Sequence, residues 1–352
     1  MKWSRSKKVV ISLCGFVCGL VVLFLWTIGG IQVPTNIKGQ ISNFGTEPPL
    51  KLRDTRKIVV LTWNIAFAYG FGSDGNGYVP RTTDEMAKRL ERIGEIILAS
   101  DADIVLLQEV DFDSHRSHHV DQLKELSYLT GLRYAAYAVS WRAGYIPFPY
   151  WPPENQFGAM CSGGAILSRY PIISNRVVLH SKPHDNPLWY NAFYLFRYMQ
   201  EVQIQWGKQV LYVSNNHLEA YDQANRAHQA RMLVQRVRKL TSDTQMVVVG
   251  GDMNTIPLEA TIRYNYPDNI DDDYRGDSTM QTLRKMSGFC EIVKADDYRK
   301  DESAFFTFPA HAPNRRLDYL FIPKEVCVED VRIIYTDDLS DHLPVRAELK
   351  WP

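Results

Sequence analysis

The chain has 352 residues, 45% of them hydrophobic and 12% aromatic, which provides a core for one large or two ordinary domains and excludes a disordered chain. Basic and acidic residues number 40 each, but residues 1–31 hold four bases and no acid, so the rest of the chain is net acidic. That balance is unlike the basic face of a high-affinity nucleic-acid-binding protein and argues against one.

The N-terminus carries a long uncharged segment. Val9 to Ile31 contains no charged residue, and about 20 apolar residues suffice to span a bilayer. The bulky residues before Gly29 and Gly30 make a poor cleavage site, which favours a signal anchor over a cleaved signal peptide. Four bases precede the segment, so the positive-inside rule predicts a single-pass protein with residues 1–8 as a cytoplasmic tail and the remainder extracytoplasmic.

Residues 32–57 are rich in proline and glycine and show little periodicity, which predicts a flexible linker. From residue 58 to 352 the pattern predicts one catalytic domain. Thr82 and Glu85 form a capping box at the start of a helix, and a second helix is predicted from about Asp222 to Leu240. Strands are predicted at residues 58–64, 103–109, 164–168, 172–179, 209–216, 246–251, 317–322, 326–335 and 343–349.

So many strands with few helices predict an α/β sandwich, in which two packed sheets lie between outer helices. The alternative is a doubly wound parallel sheet, which requires longer helices between successive strands than the sequence shows. A glycine-rich dinucleotide loop and a Walker loop are both absent from the sequence.

Polar side chains recur where the predicted strands end. Asp252 and Asn254 follow a Val-Gly run and lie two residues apart, so they share one side of the strand, where they can orient a water beside a metal ion. The oxygen atoms of Asn64, Glu109 and Asp341 suit a hard cation such as Mg²⁺, and the set lacks the paired cysteines or histidines of a zinc site.

The remaining candidates have acid–base roles. His342 could stabilise charge on a phosphoryl oxygen or accept a proton from water. Asp318, if buried, would fix the tautomer of His342 and raise its pKa. His217 could donate to another phosphoryl oxygen.

Together these residues resemble the endonuclease/exonuclease/phosphatase superfamily, which has the DNase I-like fold. The resemblance covers residues 58–350 and lies in the segments Trp63-Asn64-Ile65, Leu107-Gln108-Glu109-Val110, Asn216-His217-Leu218, Gly251-Asp252-Met253-Asn254, Leu317-Asp318-Tyr319 and Ser340-Asp341-His342-Leu343-Pro344.

The resemblance implies a four-layer α/β sandwich that hydrolyses a phosphoester by in-line attack of water with Mg²⁺ or Mn²⁺. It also implies roles: Asn64, Glu109 and Asp341 at the metal, and Asp252 orienting or deprotonating the water with Asn254 beside it. His217 and His342 would bind the phosphoryl group, with Asp318 paired to His342.

Several charged residues have simpler interpretations. Arg197 is expected to make an ion pair at the edge of the core in preference to a phosphate contact. Glu219 is expected to be a solvated loop acid. The cluster of acids and histidines from Asp111 to Asp121 follows Glu109 where a loop enters a helix, so we expect loop and capping roles over a substrate contact or a second metal site.

The segment from Trp141 to Gly158 combines aromatic residues with four prolines, which forbid a regular helix or central strand. It is expected to pack over the active site or the sheet, with lipid contact and base stacking as alternatives. With the anchor, it favours a membrane-held, Mg²⁺-dependent phosphodiesterase acting on a phospholipid or sphingolipid headgroup. An extracytoplasmic nuclease is the second hypothesis, and an inactive binding module is the third. No obligate protein partner is inferred.

Overall fold

The computed structural model describes residues 5–28, 36–45, 56–70, 80–241 and 246–352. The helices are α1 (Arg5–Ile28), α2 (Thr83–Ala99), α3 (Gln122–Thr130), α4 (Leu188–Phe193), α5 (Gln223–Thr241), α6 (Thr279–Leu283) and α7 (Ala295–Lys300). The strands are β1 (Ile37–Lys38), β2 (Ile41–Asn43), β3 (Lys57–Asn64), β4 (Ile104–Asp111), β5 (Tyr134–Ile146), β6 (Gly158–Ser168), β7 (Ile172–Leu179), β8 (Tyr198–Trp206), β9 (Gln209–His217), β10 (Val247–Asp252), β11 (Phe289–Glu291), β12 (Asp318–Pro323), β13 (Cys327–Ile333) and β14 (Val345–Lys350).

The strands form two seven-stranded mixed sheets. One sheet has the order β1-β7-β8-β9-β10-β12-β11, and the other has the order β13-β14-β3-β4-β6-β5-β2. The pairs β3–β4 and β9–β10 are parallel, and the other pairs are antiparallel. The predicted pair of mixed sheets is confirmed, and the doubly wound alternative is wrong because most neighbouring strands run in opposite directions.

Alternating side chains on each strand build separate cores on its two faces. On β3, Ile58 and Val60 pack into the core between the two sheets, whereas Val59, Leu61 and Trp63 pack beneath α2 and α3. This period of two is the ordinary geometry of a strand that is buried on both faces. On the other sheet, α5 and α6 cover the outer face with a third cluster, so the layers run helix, sheet, sheet, helix.

The predicted helices are present. The Oγ1 of Thr82 accepts a hydrogen bond from the Glu85 amide at 3.3 Å, and the Glu85 carboxylate accepts one from the Thr82 amide at 2.8 Å, so the capping box at the start of α2 is confirmed. The second predicted helix corresponds to α5, displaced by one residue at each end.

The linker prediction is wrong for part of its length. Within residues 32–57, β1 pairs with β7 and β2 pairs with β5, so this segment adds an edge strand to each sheet. The strand propensity of this short, proline- and glycine-rich stretch is low, so the sequence does not indicate strands there. Backbone pairing with β7 and β5 makes β1 and β2 strands all the same. Residues 29–35 and 46–55 lie outside the described part of the chain.

The expectation of an irregular segment from Trp141 to Gly158 also needs correction. Residues 141–146 complete β5, which pairs with β6 across Trp141–Ser162 and Ile146–Gly158. The prolines interrupt the strand only from Pro147 onward, because the residues before it keep their backbone donors.

By its length and composition, helix α1 could cross a membrane. A signal sequence near an N-terminus can have the same length and composition. Its C-terminal part contacts the sandwich. The rings of Phe24 and Phe193 meet edge to face with centroids 6.2 Å apart. The carbonyl oxygen of Trp26 lies so close to Gly144 that a Cβ atom there would stand 2.7 Å from it.

Candidate active site

All eight predicted site residues converge at one end of the two sheets. Asn64, His217 and Asp252 are the last residues of β3, β9 and β10, and Glu109 lies near the end of β4. Strand β12 runs antiparallel to β10, so its first residue, Asp318, pairs with Asp252 at the same end. Asp341 and His342 reach this end because they directly precede the antiparallel strand β14.

Asp252 lies at the centre of the cluster and is 1% exposed. The amide nitrogen of the Asn64 side chain donates to its Oδ2 at 3.1 Å, and the backbone amide of Asn254 donates to its Oδ1 at 2.9 Å. Burial raises the pKa of Asp252 to about 6, because a buried carboxylate loses the solvation of its charge. The group can therefore exchange a proton near neutral pH.

His342 forms a buried pair with Asp318. Its Nδ1 lies 2.8 Å from Asp318 Oδ2, and its Nε2 lies 3.6 Å from Asp252 Oδ2. Burial disfavours the charged imidazole, but the charges of Asp318, Asp252 and Asp341 outweigh it and raise the pKa of His342 to about 10. His342 is therefore a cation at neutral pH, with Nδ1–H directed at Asp318 and Nε2 on the side of Asp252.

The loop before β14 is tied to the end of β3. The hydroxyl of Ser340 donates to the Asn64 carbonyl oxygen at 2.6 Å and accepts from the His342 amide at 3.1 Å. The indole nitrogen of Trp63 donates to the His342 carbonyl oxygen at 2.9 Å. These bonds position Asp341 and His342 beside Asn64 although 276 residues separate Asn64 from Ser340.

Glu109 owes its position to an irregularity in β4. The pairing of β4 with β6 shifts register between Leu107 and Val110, and Glu109 has a φ of +54°, in the left-handed region that favours glycine. Such bulges often redirect a side chain near a functional site. Its carboxylate is 27% exposed, and burial raises its pKa.

Glu109 and Asp341 line the same pocket. Burial raises the pKa of the Asp341 carboxyl group to about 6. Glu109 in turn contributes to that rise through its charge. These adjacent carboxylates lie where a cation would relieve their mutual repulsion.

His217 is held in its neutral form. The Arg197 guanidinium can only donate hydrogen bonds, and its Nη1 contacts His217 Nε2, so that nitrogen accepts. Burial, together with the charge of Arg197, lowers the pKa of His217 well below its usual value. His217 Nε2 also lies 3.4 Å from Asp252 Oδ2, the same oxygen that His342 Nε2 approaches to 3.6 Å.

The expectation for Glu219 is wrong, whereas the ion pair expected for Arg197 is present. Glu219 is 1% exposed and accepts hydrogen bonds from the Tyr194 hydroxyl at 2.6 Å and the Tyr221 amide at 3.2 Å, so it is no solvated loop acid. The chain near α4 folds over it, an effect of tertiary structure that local sequence does not show. Arg197 makes the predicted ion pair, with Nε 3.9 Å from Glu219 Oε2, and also reaches the site through His217.

The acids and histidines between Asp111 and Asp121 have loop and capping contacts, as predicted. Asp111 makes two hydrogen bonds of 3.0 Å with the Arg116 guanidinium. Asp121 caps α3 by accepting from the Lys124 amide at 3.1 Å. His119 lies 2.6 Å from Asp113 at the surface. Nothing in these contacts calls for a second metal site.

A pocket of about 790 Å³ adjoins the cluster, and Glu109, His217 and Asp341 are among its lining residues. Sequence analysis missed it, because its walls come from segments far apart in the chain. Twelve of its 25 lining residues are aromatic: Phe67, Tyr69, Trp141, Phe148, Tyr150, Phe157, Trp189, Tyr190, Phe193, Tyr194, Tyr198 and Tyr221. The segment from Trp141 to Gly158, expected to pack over the active site or the sheet, provides part of the wall, and the aromatic run in and after α4 was the sequence signal that was missed.

The sandwich and its cluster of carboxylates, amides and histidines define a phosphoester-hydrolase class. Residues 61–342 match the family model described as Endonuclease/Exonuclease/phosphatase family, and the chain belongs to that family. Membership supports the expectation of a hydrolase of phosphoric esters. No curated protein matches the chain.

Solved structures share the fold at low identity. An endonuclease/exonuclease/phosphatase from Beutenbergia cavernae is 22% identical over 84% of this chain and 72% of its own, with a TM-score of 0.59. The mannosyl-6-phosphatase of Bacteroides thetaiotaomicron is 15% identical over 84% and 100% of the two chains, with a TM-score of 0.54. A truncated TDP2 from Caenorhabditis elegans is 17% identical over 84% and 97%, with a TM-score of 0.50. At these identities the structural similarity shows the fold alone.

Proposed function

We propose that the protein is a membrane-anchored, divalent-metal-dependent phosphodiesterase that hydrolyses the headgroup phosphodiester of a phospholipid or sphingolipid. The observation that carries this proposal is the aromatic pocket, which is lined in part by Glu109, His217 and Asp341. A substrate whose phosphate occupies the cluster would place its neighbouring groups against aromatic walls.

The charges around the pocket support a lipid over a nucleic acid. Within the described residues, the arginines that line it are Arg116 and Arg197, and each lies beside a carboxylate, Asp111 or Glu219 respectively. A nucleic-acid groove needs basic side chains that can neutralise successive phosphates. A pocket with paired arginines and many rings suits one phosphate joined to apolar groups.

The residues present fit a hard divalent cation. Glu109 and Asp341 provide carboxylate oxygens, and Asn64 provides an amide oxygen that accepts one bond from the Ala66 amide at 3.0 Å and keeps a second lone pair. Atoms of Asp252, Asp318 and His342 also lie within 4.8 Å of one another, but the Nδ1 of His342 is already bonded to Asp318. We therefore assign the cation to Asn64, Glu109 and Asp341. Bound Mg²⁺ or Mn²⁺ would neutralise charge on the phosphoryl oxygens.

Asp252 is the proposed base for the attacking water. Hydrogen bonds from the Asn64 side chain and the Asn254 amide hold its two oxygens in place, and its raised pKa suits proton transfer near neutral pH. The oxygen of water forms a bond to phosphorus while its proton passes to Asp252. The bond to the departing alcohol breaks, and the alcohol oxygen takes the electron pair and a proton from solvent water, while Asp252 returns its proton to solvent.

Cationic groups flank the position of the phosphoryl group. The charged His342 can donate from Nε2, and Asp318 keeps it charged and oriented. The second cation is Arg197, because His217 is neutral and its Nε2 already accepts from Arg197. His217 can bind a phosphoryl oxygen only when Arg197 moves off that nitrogen.

Helix α1 supports placement at a membrane. We propose that it is a single-pass anchor, with the residues before it in the cytoplasm and the catalytic domain outside. Its contacts with Phe193 and Gly144 bring the end of the helix next to the aromatic pocket. A lipid headgroup in that bilayer would then lie within reach of the active site.

The proposal is tested with the full chain in detergent micelles. Mixed phosphatidylcholine and sphingomyelin micelles, plasmid DNA and mannose 6-phosphate are assayed in parallel with Mg²⁺ and with chelator, using Asp252→Asn as the blank. Metal-dependent release of phosphorylated headgroup is the expected result. Cleavage of plasmid alone would establish a nuclease instead, and no turnover of any substrate by folded protein would indicate an inactive binding module.

A further inference from the structure

A patch of exposed aromatic and aliphatic side chains surrounds the mouth of the pocket. We call it the rim and define it by Phe148, Tyr150, Trp151, Leu188 and Trp189. Trp151 is 79% exposed and Leu188 is 90% exposed. Soluble surfaces seldom expose a cluster of such side chains, and a cluster that does occur generally marks an interaction site.

The rim comes from two segments without charge. Residues 143–153 and residues 186–196 each contain no acidic or basic side chain, although charged residues make up 23% of the chain. The first segment begins in the last residues of β5 and continues past its end, and the second contains α4. Uncharged segments rich in tryptophan and tyrosine are typical of surfaces at the boundary between water and lipid, where the ring is apolar and its polar atom stays hydrated.

The position of α1 determines which partner the rim meets. Phe24 belongs to the uncharged run from Val9 to Ile31, yet its ring packs against Phe193 at the end of α4. If α1 spans a bilayer, a side chain that touches Phe24 lies at the depth of the lipid interface or below it. Phe193 also lines the pocket, so part of the pocket wall lies at the same level.

We propose that the rim inserts into the interfacial layer of the bilayer that α1 spans and thereby seats the pocket mouth on the lipid surface. The inference rests on the proposed anchoring by α1. Its occupant is the bilayer interface itself, bound by aromatic and aliphatic side chains without help from charge.

Insertion is measured on the full chain, reconstituted in phosphatidylcholine vesicles, with an environment-sensitive fluorophore on one cysteine. Leu188→Cys places the label on the rim. The native, exposed Cys327 provides the matched control. In the sheet, Cys327 of β13 lies opposite Lys350 of β14, which lies opposite Lys57, the first residue of β3. Cys327 is therefore at the end of the sheet away from Asn64, the last residue of β3. The other cysteines are replaced in both proteins.

The label at position 188 should show a blue-shifted emission and quenching by spin-labelled lipid, while the label on Cys327 should be quenched by iodide from the water. Equal exposure of both labels to water would overturn the proposal. Quenching between labels at position 188 that grows with the protein-to-lipid ratio would assign the rim to a second copy of the chain, and would overturn it as well.

An activity measurement gives an independent result. Trp151→Asp with Leu188→Asp changes two rim side chains outside the pocket lining and should lower the rate on vesicles by at least about tenfold while leaving hydrolysis of a small, monomeric phosphodiester unchanged. Ile173→Asp is the control, because Ile173 is 49% exposed at the start of β7, away from the end that pairs toward His217.

Equal rates on vesicles for the rim variant and the control would refute the proposal. If no lipid is hydrolysed at all, the proposed function fails, and the fluorescence measurement still decides whether the rim inserts.

Discussion

Replacing Asp318 with asparagine keeps the shape of the side chain beside His342 and removes its charge. The two groups lie 2.8 Å apart, and Asp318 is fully buried. At an effective dielectric constant of about 20, two unit charges at that distance attract by about 6 kcal/mol, or about 4 units of pKa. Without Asp318, the pKa of His342 should fall well below its value of about 10, because this attraction is lost and burial still disfavours the cation.

The consequence is a change in the pH profile. In the natural protein Asp252 must be deprotonated, which requires a pH above about 6, and His342 must be protonated, which requires a pH below about 10, so kcat should be level between these values. In Asp318→Asn, His342 loses its proton near neutral pH. We expect kcat at pH 8 to fall by about 100-fold or more, since a charged donor to the phosphoryl group is lost.

The assay is kcat against pH on a small chromogenic phosphodiester with saturating Mg²⁺. Asp318→Asn should show its highest rate near pH 6 and lose activity on the alkaline side above it. Asp296→Asn serves as the control, because its carboxylate is 85% exposed and bonds only to Arg299 among the described residues. An unchanged alkaline limb in Asp318→Asn would refute the role of Asp318 in holding the charge on His342.

Three further predictions concern the metal, the pH dependence of stability and the strained backbone. Glu109→Gln should raise the Mg²⁺ concentration for half-maximal rate by at least about tenfold, measured by metal titration after chelation. His180 is buried without a ring hydrogen bond among the described residues, and burial lowers its pKa to about 4. Unfolding releases it to bind a proton, so the free energy of unfolding should drop by about 2 kcal/mol from pH 7 to pH 5, and His180→Phe should flatten that slope in urea titrations. Gly251 has a φ of +129°, and a Cβ atom there would lie 2.0 Å from the Asn216 carbonyl oxygen. Gly251→Ala should therefore lower the free energy of unfolding by more than about 3 kcal/mol, whereas the control Gly276→Ala should change it little.

The sandwich and the positions of its site residues were predictable because both follow from local pattern. Strand residues such as Ile58 to Leu61 are buried on both faces, and such runs stand out in sequence. Polar residues at strand ends could be picked out from the sequence, and the family resemblance grouped Asn64 with Asp252. Their hydrogen bond joins the ends of β3 and β10, which belong to different sheets, so it depends on how the two sheets pack.

What could not be predicted depends on contacts between distant segments. The bulge that turns Glu109 into the pocket arises from the pairing of β4 with β6. The burial of Glu219 under Tyr194 and Tyr221 brings together loops that local sequence describes as solvated. Strand β5 was missed because alanines in Tyr134-Ala135-Ala136-Tyr137-Ala138 have low strand propensity, and pairing on both sides overrides it.

The most direct test of the central claim follows the oxygen of water during hydrolysis. The full chain in mixed phosphatidylcholine and sphingomyelin micelles is incubated with Mg²⁺ in water enriched in ¹⁸O, and the products are analysed by mass spectrometry. Attack of water on phosphorus predicts one ¹⁸O atom in the phosphorylated product and none in the released alcohol, with no product from Asp252→Asn. An ¹⁸O atom in the alcohol, or undiminished turnover by Asp252→Asn, would contradict the account.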